Sequence, residues 1–322
     1  MKINVHSVYF PREHIIFLEE WLLYHMWTGI DHFYLYDNTG SSNAWGRKDL
    51  GWIGERDRRG YSFKSITSHL TDSDIQNIQK KIFKKYSGLV THVKWQPRHH
   101  KFPDRIVFGQ TEAIKDYVSR YSDTADWTYF FDMDEFFYSP AKKTLRECVL
   151  EQEEAGMSKL VIRADSFLSR YKLDDNGDTV VRNKYASQIF SSLGHESGIF
   201  PKQIIRCKDL LDVDKWPNRW AQGIHFAPLK PGRKIFSCGN RQDNFDYARY
   251  NHYNIPDEMI DRPADQKKGY WINLPVVKSR RQRIEKKFPN GIEDMRYDDD
   301  LSYVKPKLDK INMVVNEYID IF

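Results

Sequence analysis

The stretch YFFDMDEFFY, residues 129–138, sets three carboxylates, Asp132, Asp134 and Glu135, inside a run of aromatic side chains. Like charges this close repel one another, so they need a counter-charge or water. Three arrangements supply it: a divalent cation, a phosphate-bearing ligand reached through such a cation, or solvent at a strand end. In an extended segment alternate side chains share a face, so Asp132 and Asp134 point the same way with α-carbons about 6.6 Å apart. That spacing suits a hard cation such as Mn2+ or Mg2+, which would in turn neutralise a diphosphate.

The elements that must position this segment read as strands alternating with helices. INVHSVYF (3–10) is strand-like and stops at Pro11, and the helix after it carries Ile15, Leu18, Leu22 and Met26 on one face before Gly29 ends it. HFYLYD (32–37) is a strand ending in the turn signal Asp37-Asn38-Thr39-Gly40. Helices are expected at 71–86, 104–121 and 145–156, and strands at 89–95, 127–131 and 159–164, with a polar loop from 40 to about 60. Strands separated by helices of this length mean βαβ units and a mostly parallel sheet, with ligands gathering at the carboxyl ends of the strands, where the acidic triplet lies. Residues 165–255 read as irregular and rich in Gly, Pro, Asn and aromatics, and helical periods return from about 275. The expected layout is a catalytic α/β domain over 1–255 and a C-terminal helical extension over 256–322.

Composition narrows the function classes. The 322 residues are 40% hydrophobic and 30% charged, as in a globular protein. With 50 basic residues against 45 acidic, the net charge of +5 lacks the concentrated basic face of a nucleic-acid binder. The one basic cluster, KSRRQRIEKK at 278–287, is either a solvated helix face or a peripheral contact with an anionic membrane. Cys148, Cys207 and Cys238 are far apart and odd in number, which argues against a disulfide framework. The start MKINVHSVYF has no leader character, and no apolar run approaches the roughly 18 residues of a spanning helix. A cytoplasmic protein, or one at the inner face of a membrane, is the expectation.

Several motifs in order resemble a known family. FLEEWLLYHMWTGIDHFYLYDNTGS, followed about a hundred residues later by WTYFFDMDEFF, resembles the family 92 glycosyltransferases and related bacterial family-2-like enzymes. The matching residues are Glu20, Trp21, His25, Gly29, Ile30, Asp31, Phe33, Asp37, Asn38, Asp132, Asp134, Glu135 and Phe136, joined by Gln110 and Trp127. FPKQIIRC (200–207), GIHF (223–226) and NHYN (251–254) resemble the family's later segments, so the likeness covers roughly residues 3–255. The family pattern follows its His-Tyr with Lys-Ser, whereas here Lys267 or Lys268 would have to substitute.

The resemblance implies a glycosyltransferase A fold, a single Rossmann-like nucleotide-sugar-binding domain. It also implies metal-dependent, inverting transfer from a UDP-sugar, galactose leading, to a glycan, glycolipid or polysaccharide hydroxyl. The donor nucleoside would lie near Asp37, which is equally suited to shaping its own turn. Arg12 and Glu13 sit in the first strand-to-helix turn, and Gln110 precedes the acidic strand. Asp134 is the principal expected metal ligand, with Asp132 on the ribose or the metal; His252 is the third ligand and His225 its rival. Lys202 and Arg206 are expected to place positive charge at the diphosphate. Glu196 and Asp243 are the candidate bases for the acceptor hydroxyl, and Trp216, Trp220 and Trp271 candidate stacking surfaces for an acceptor sugar. Two other readings stand beside this one. The first is a non-catalytic, metal-dependent carbohydrate-binding protein. The second is a haloacid-dehalogenase-type phosphatase, which would want its Asp pair on the first strand, followed by Thr or Val.

Overall fold

The computed structural model describes residues 1–39, 71–98, 103–104, 106, 109–139, 141, 143–169, 190–192, 201–216, 225–238 and 247–253, and the statements that follow concern these. The chain runs β1 (Ile3–Tyr9), α1 (Pro11–Thr28), β2 (His32–Asp37), α2 (Asp72–Lys85), β3 (Val90–Lys94), α3 (Gln110–Tyr121), β4 (Trp127–Phe130), β5 (Glu135–Tyr138), α4 (Leu145–Glu154) and β6 (Lys159–Ile162). It continues through β7 (Ala164–Ser169), β8 (Phe190–Ser192), β9 (Lys202–Arg206), β10 (Ile235–Ser237) and β11 (Arg249–Tyr253). A seven-stranded sheet has the order β10-β6-β9-β4-β1-β2-β3, and a four-stranded sheet the order β5-β11-β7-β8. In the larger sheet β9 alone runs antiparallel to its neighbours, so the expectation of a mostly parallel α/β sheet is met.

Strand side chains alternate between two cores. Ile3, Val5, Phe33, Leu35, Trp127 and Tyr129 face Leu18, Trp21, Leu22, Ile75, Ile78 and Ile82 of α1 and α2. Val8, Tyr34, Tyr36 and Phe130 face Ala113, Ile114, Tyr117 and Val118 of α3. With both faces covered, a central strand must be apolar at nearly every position, which explains the continuous aromatic and β-branched runs read in the sequence. Local signals set the helix ends. Thr71 with Asp74, and Thr144 with Glu147, form capping boxes that satisfy otherwise orphaned N–H groups.

Gly29 ends α1 at φ 109°, and a Cβ there would lie 2.5 Å from Cβ of Arg146. Arg146 in α4 bonds the Gly29 carbonyl and both Asp31 carboxylate oxygens at 2.7 Å each, while Asp31 accepts the Ile3 amide at 2.7 Å. The Gly-Ile-Asp motif is therefore a clamp that joins the ends of α1 and α4 to the start of β1.

Two sequence expectations change. The region read as irregular from 165 contributes strands to both sheets, among them the antiparallel β9 between β4 and β6. Strands β8 to β11 are only three to five residues long, too few to display a period. The third helix starts at Gln110 rather than 104, after Gly109 at φ 54°. The expected helical extension at 256–322 and the basic segment 278–287 lie outside the described residues. Among the described residues no helix is long and apolar enough to cross a membrane.

Candidate active site

The carboxyl ends of β1, β2 and β4 lie along one edge of the large sheet, as their parallel pairing requires. The acidic triplet follows β4 at this edge, but not as the extended strand expected. The chain turns between Asp132 and Glu135: the Glu135 amide donates to the Asp132 carbonyl at 3.2 Å, and Glu135 Oε2 accepts the Asp132 amide at 3.0 Å. Turning, not alternation, gathers the three carboxylates, whose nearest ligand oxygens lie within 4.8 Å of one another. Asp134 and Glu135 are buried, and the Asp132 side chain is 31% exposed.

Lys202, at the start of β9, supplies a counter-charge from within the chain. Its Nζ lies 2.5 Å from Asp132 Oδ2 and 2.9 Å from Glu135 Oε2, and its side chain is 1% exposed. Burial alone would lower the lysine pKa; Asp132 and Glu135 outweigh it and hold it above the ordinary lysine range. Gln110 Nε2 donates to Asp132 Oδ1 at 2.7 Å, so Asp132 is held from both sides of the sheet. His14, behind the turn, accepts the Phe10 amide at Nδ1 (3.1 Å). Burial pushes its pKa down to about 4 against the pull of Asp134 and Asp132, leaving it neutral at pH 7. The buried phenols of Tyr129 and Tyr250 are held protonated by burial and by the nearby carboxylates.

Lys202 bridges Asp132 and Glu135, and the 31% exposed Asp132 side chain leaves the cluster partly open. All three donors are hard oxygens, the set that suits Mg2+ or Mn2+. The residues present therefore fit a divalent cation.

The other expected site residues fall as follows. Asp37 is buried, and both its oxygens are taken: Oδ1 by Thr39 (amide 2.9 Å), Oδ2 by Gln79 (2.7 Å) and His92 (2.9 Å). Burial would raise its pKa, but the bonds from His92, Thr39 and Gln79 hold it below the usual carboxylate range. Its turn-shaping role is thus plainly built. Arg206 pairs with Trp127 at the amino end of β4, bonds the Met157 carbonyl at 2.8 Å and lies over the Trp127 ring. The structure sets it at the opposite edge from the acidic turn, because β9 is antiparallel and only its first residue, Lys202, reaches that turn.

His252 lies opposite Glu135 in the β5–β11 register. His225 donates from Nδ1 to the Pro201 carbonyl at 2.9 Å, which in the neutral ring places the lone pair on Nε2. Trp216 is buried, with its indole N–H on the Leu211 carbonyl at 2.8 Å, and belongs to the core. Arg12 and Glu13 open α1 at the site edge. Glu196, Asp243, Trp220 and Trp271 lie outside the described residues.

Sequence reasoning missed His14 and the internal counter-charge from Lys202. A lone His in a helix carries no local signal, and the approach of β9 to the acidic turn is settled only by sheet order.

The sequence profile of glycosyltransferase family 92 matches residues 67–230, just over half of the chain. The galactan β-1,4-galactosyltransferase GALS1 of Arabidopsis thaliana is 24% identical over 271 residues, covering 81% of this chain and 44% of its own length. GALS2 of the same plant, also a galactan β-1,4-galactosyltransferase, is 26% identical over 150 residues, 47% of this chain and 26% of its own. The chain thus spans less than half the length of these relatives. A crystal structure of S. aureus TarS 1–349 in complex with UDP-GlcNAc is similar at a TM-score of 0.38 and 14% identity, over 93% of this chain and 69% of that one.

Proposed function

The chain belongs to glycosyltransferase family 92, and from that premise we propose that it is a metal-dependent, inverting glycosyltransferase. It takes a hexose, galactose by analogy with the galactan galactosyltransferases it resembles, from a UDP-sugar to a glycan, glycolipid or polysaccharide hydroxyl. The observation that carries this is the acidic turn at the carboxyl edge of a mostly parallel sheet, which gathers three hard carboxylate donors within 4.8 Å of one another.

Asp134 and Asp132 would hold Mn2+ or Mg2+, completed by His252, which the β11 register favours, or by His225. The cation, when bound, supplies positive charge toward a departing diphosphate. The chain's own groups do the rest. Gln110 and Lys202 fix the Asp132 carboxylate, and the buried ammonium of Lys202 bridges Asp132 and Glu135. Transfer joins the acceptor oxygen to the anomeric carbon while the bond to UDP breaks; the acceptor proton passes to a carboxylate, Glu196 or Asp243, and the electron pair leaves with UDP. Arg12 and Glu13, with the turn that Asp37 shapes, border the nucleoside.

A thermal-shift panel of UDP, GDP, CMP and UDP-sugars, with and without Mn2+, tests the reading. The expected result is a Mn2+-dependent stabilisation by UDP species that is lost in Asp134→Ala. No nucleotide response with or without Mn2+ would sink it. Turnover of UDP-galactose onto an oligosaccharide would exclude the purely carbohydrate-binding alternative.

A further inference from the structure

The acidic turn feeds directly into β5, which lies at the edge of the four-stranded sheet with β11 on its inner side. An edge strand directs the carbonyls of alternate residues away from its neighbour, and buried carbonyls need partners. Glu135 and Phe137 are two such residues. Each is met by a side chain from α1: Trp21 Nε1 donates to the Glu135 carbonyl at 3.0 Å, and the Tyr24 hydroxyl to the Phe137 carbonyl at 2.5 Å. Residues three apart share a helix face, so Trp21 and Tyr24 together act on the open edge of β5 as a neighbouring strand would. Both are buried, and Phe136 between the two carbonyls packs on Tyr24 and His25. The His25 ring is in turn fixed against Trp21, with Nδ1 on the Trp21 carbonyl at 2.9 Å.

Of the two bonds, the one from Trp21 falls on the last residue of the acidic turn. Glu135 closes that turn through its own amide and carboxylate and holds Lys202 through Oε2. Movement of the Glu135 backbone would therefore shift Lys202 and Asp132 with it. The Tyr24 bond lies two residues further on.

We propose that Trp21 is a positioning residue for the cation-binding carboxylates: its indole N–H fixes the Glu135 backbone and through it the geometry of Asp132 and Asp134. This rests on the metal-dependent reading above, and it separates the roles of two contacts that stability alone would not distinguish.

The test measures Mn2+ binding to the protein alone, by the EPR signal of the free ion, in wild type, Trp21→Phe and Tyr24→Phe, alongside thermal unfolding. Each variant deletes one hydrogen bond to a β5 carbonyl and retains an aromatic ring. Trp21→Phe is expected to weaken Mn2+ binding about 10-fold or more, the usual effect of losing an outer-shell contact, while Tyr24→Phe stays near wild-type affinity despite its own loss of melting temperature. If Trp21→Phe fails to fold, benzothienylalanine at position 21, which keeps the bicyclic ring and deletes the N–H, carries the same comparison. Wild-type affinity in the Trp21 variant, or equal weakening in both variants, would overturn the inference alone. A wild-type protein that takes up no Mn2+ would overturn it together with the reading it rests on.

Discussion

Replacing Lys202 by Met asks how the acidic turn is held together. Met fills a similar volume but leaves Glu135, 2% exposed, with its carboxylate on the Asp132 amide and without the cation 2.9 Å away. Breaking a buried pair from one side typically costs about 3–5 kcal/mol, because the remaining buried charge loses its partner cation. Against a total stability of about 5–15 kcal/mol that is a large fraction, and at about 2–4 °C per kcal/mol it lowers the melting temperature by roughly 6–20 °C. Urea unfolding followed by tryptophan fluorescence and far-ultraviolet circular dichroism measures the loss directly. Glu135→Gln in the Lys202→Met background removes the stranded charge, so the double variant should recover more than about 1 kcal/mol relative to Lys202→Met. Millimolar Mn2+ should also raise the melting temperature of Lys202→Met more than that of wild type, a cation from solution replacing the one deleted. A loss below about 1 kcal/mol in Lys202→Met, or no recovery in the double variant, would refute the assignment of Lys202 as the internal counter-charge.

Gly29→Ala forces a Cβ to 2.5 Å from Arg146 Cβ at a left-handed φ of 109°, and a loss of about 2–3 kcal/mol is expected in denaturant titration; an unchanged midpoint would show that the α1–α4 clamp yields freely. His6 and His25 are buried with pKa values pushed down by burial to about 3, so the folded state binds fewer protons than the unfolded one. Their stability contribution is complete above the ordinary histidine value of about 6.5 and falls, as pH drops toward 3, by up to about 1.4 kcal/mol per pH unit for each. Unfolding measured between pH 7 and 4.5 should show this slope, reduced in His25→Gln, and a pH-independent stability over that range would contradict it. Asp37→Asn should cost about 1–3 kcal/mol by disrupting the bonds from Gln79, His92 and Thr39. Because the Asp37 pKa is depressed, the wild-type advantage should be complete above about pH 4 and shrink as pH falls through the lower folded-state value; an advantage that does not change with falling pH would place the effect elsewhere.

Much of the fold was legible because its signals are local. The apolar runs of β1, β2 and β4 and the 3.6-residue period of α2 mark their own elements, and Thr71 and Gly29 mark helix ends. The four short strands β8 to β11 were not legible: three to five residues carry no usable period, and their pairing is made by partners far along the chain. Within the site, Asp132, Asp134 and Gln110 could be named from the sequence, and the structure brings Gln110 and Asp132 together at 2.7 Å. The placements of Lys202 and Arg206 could not be separated, although they differ by four positions on one strand.

Sequence by itself determined the α/β class, the acidic segment after a buried aromatic strand, and the motif order that resembles family 92, because periodicity and residue chemistry are properties of neighbours in the chain. Only the tertiary structure decided that the three carboxylates meet through a turn, that Lys202 from an antiparallel strand neutralises part of their charge, and that Trp21 and Tyr24 hold the strand leaving the turn. Those contacts join residues about 70 and about 114 positions apart, and electrostatic compensation depends on distance in space, to which separation along the chain is no guide.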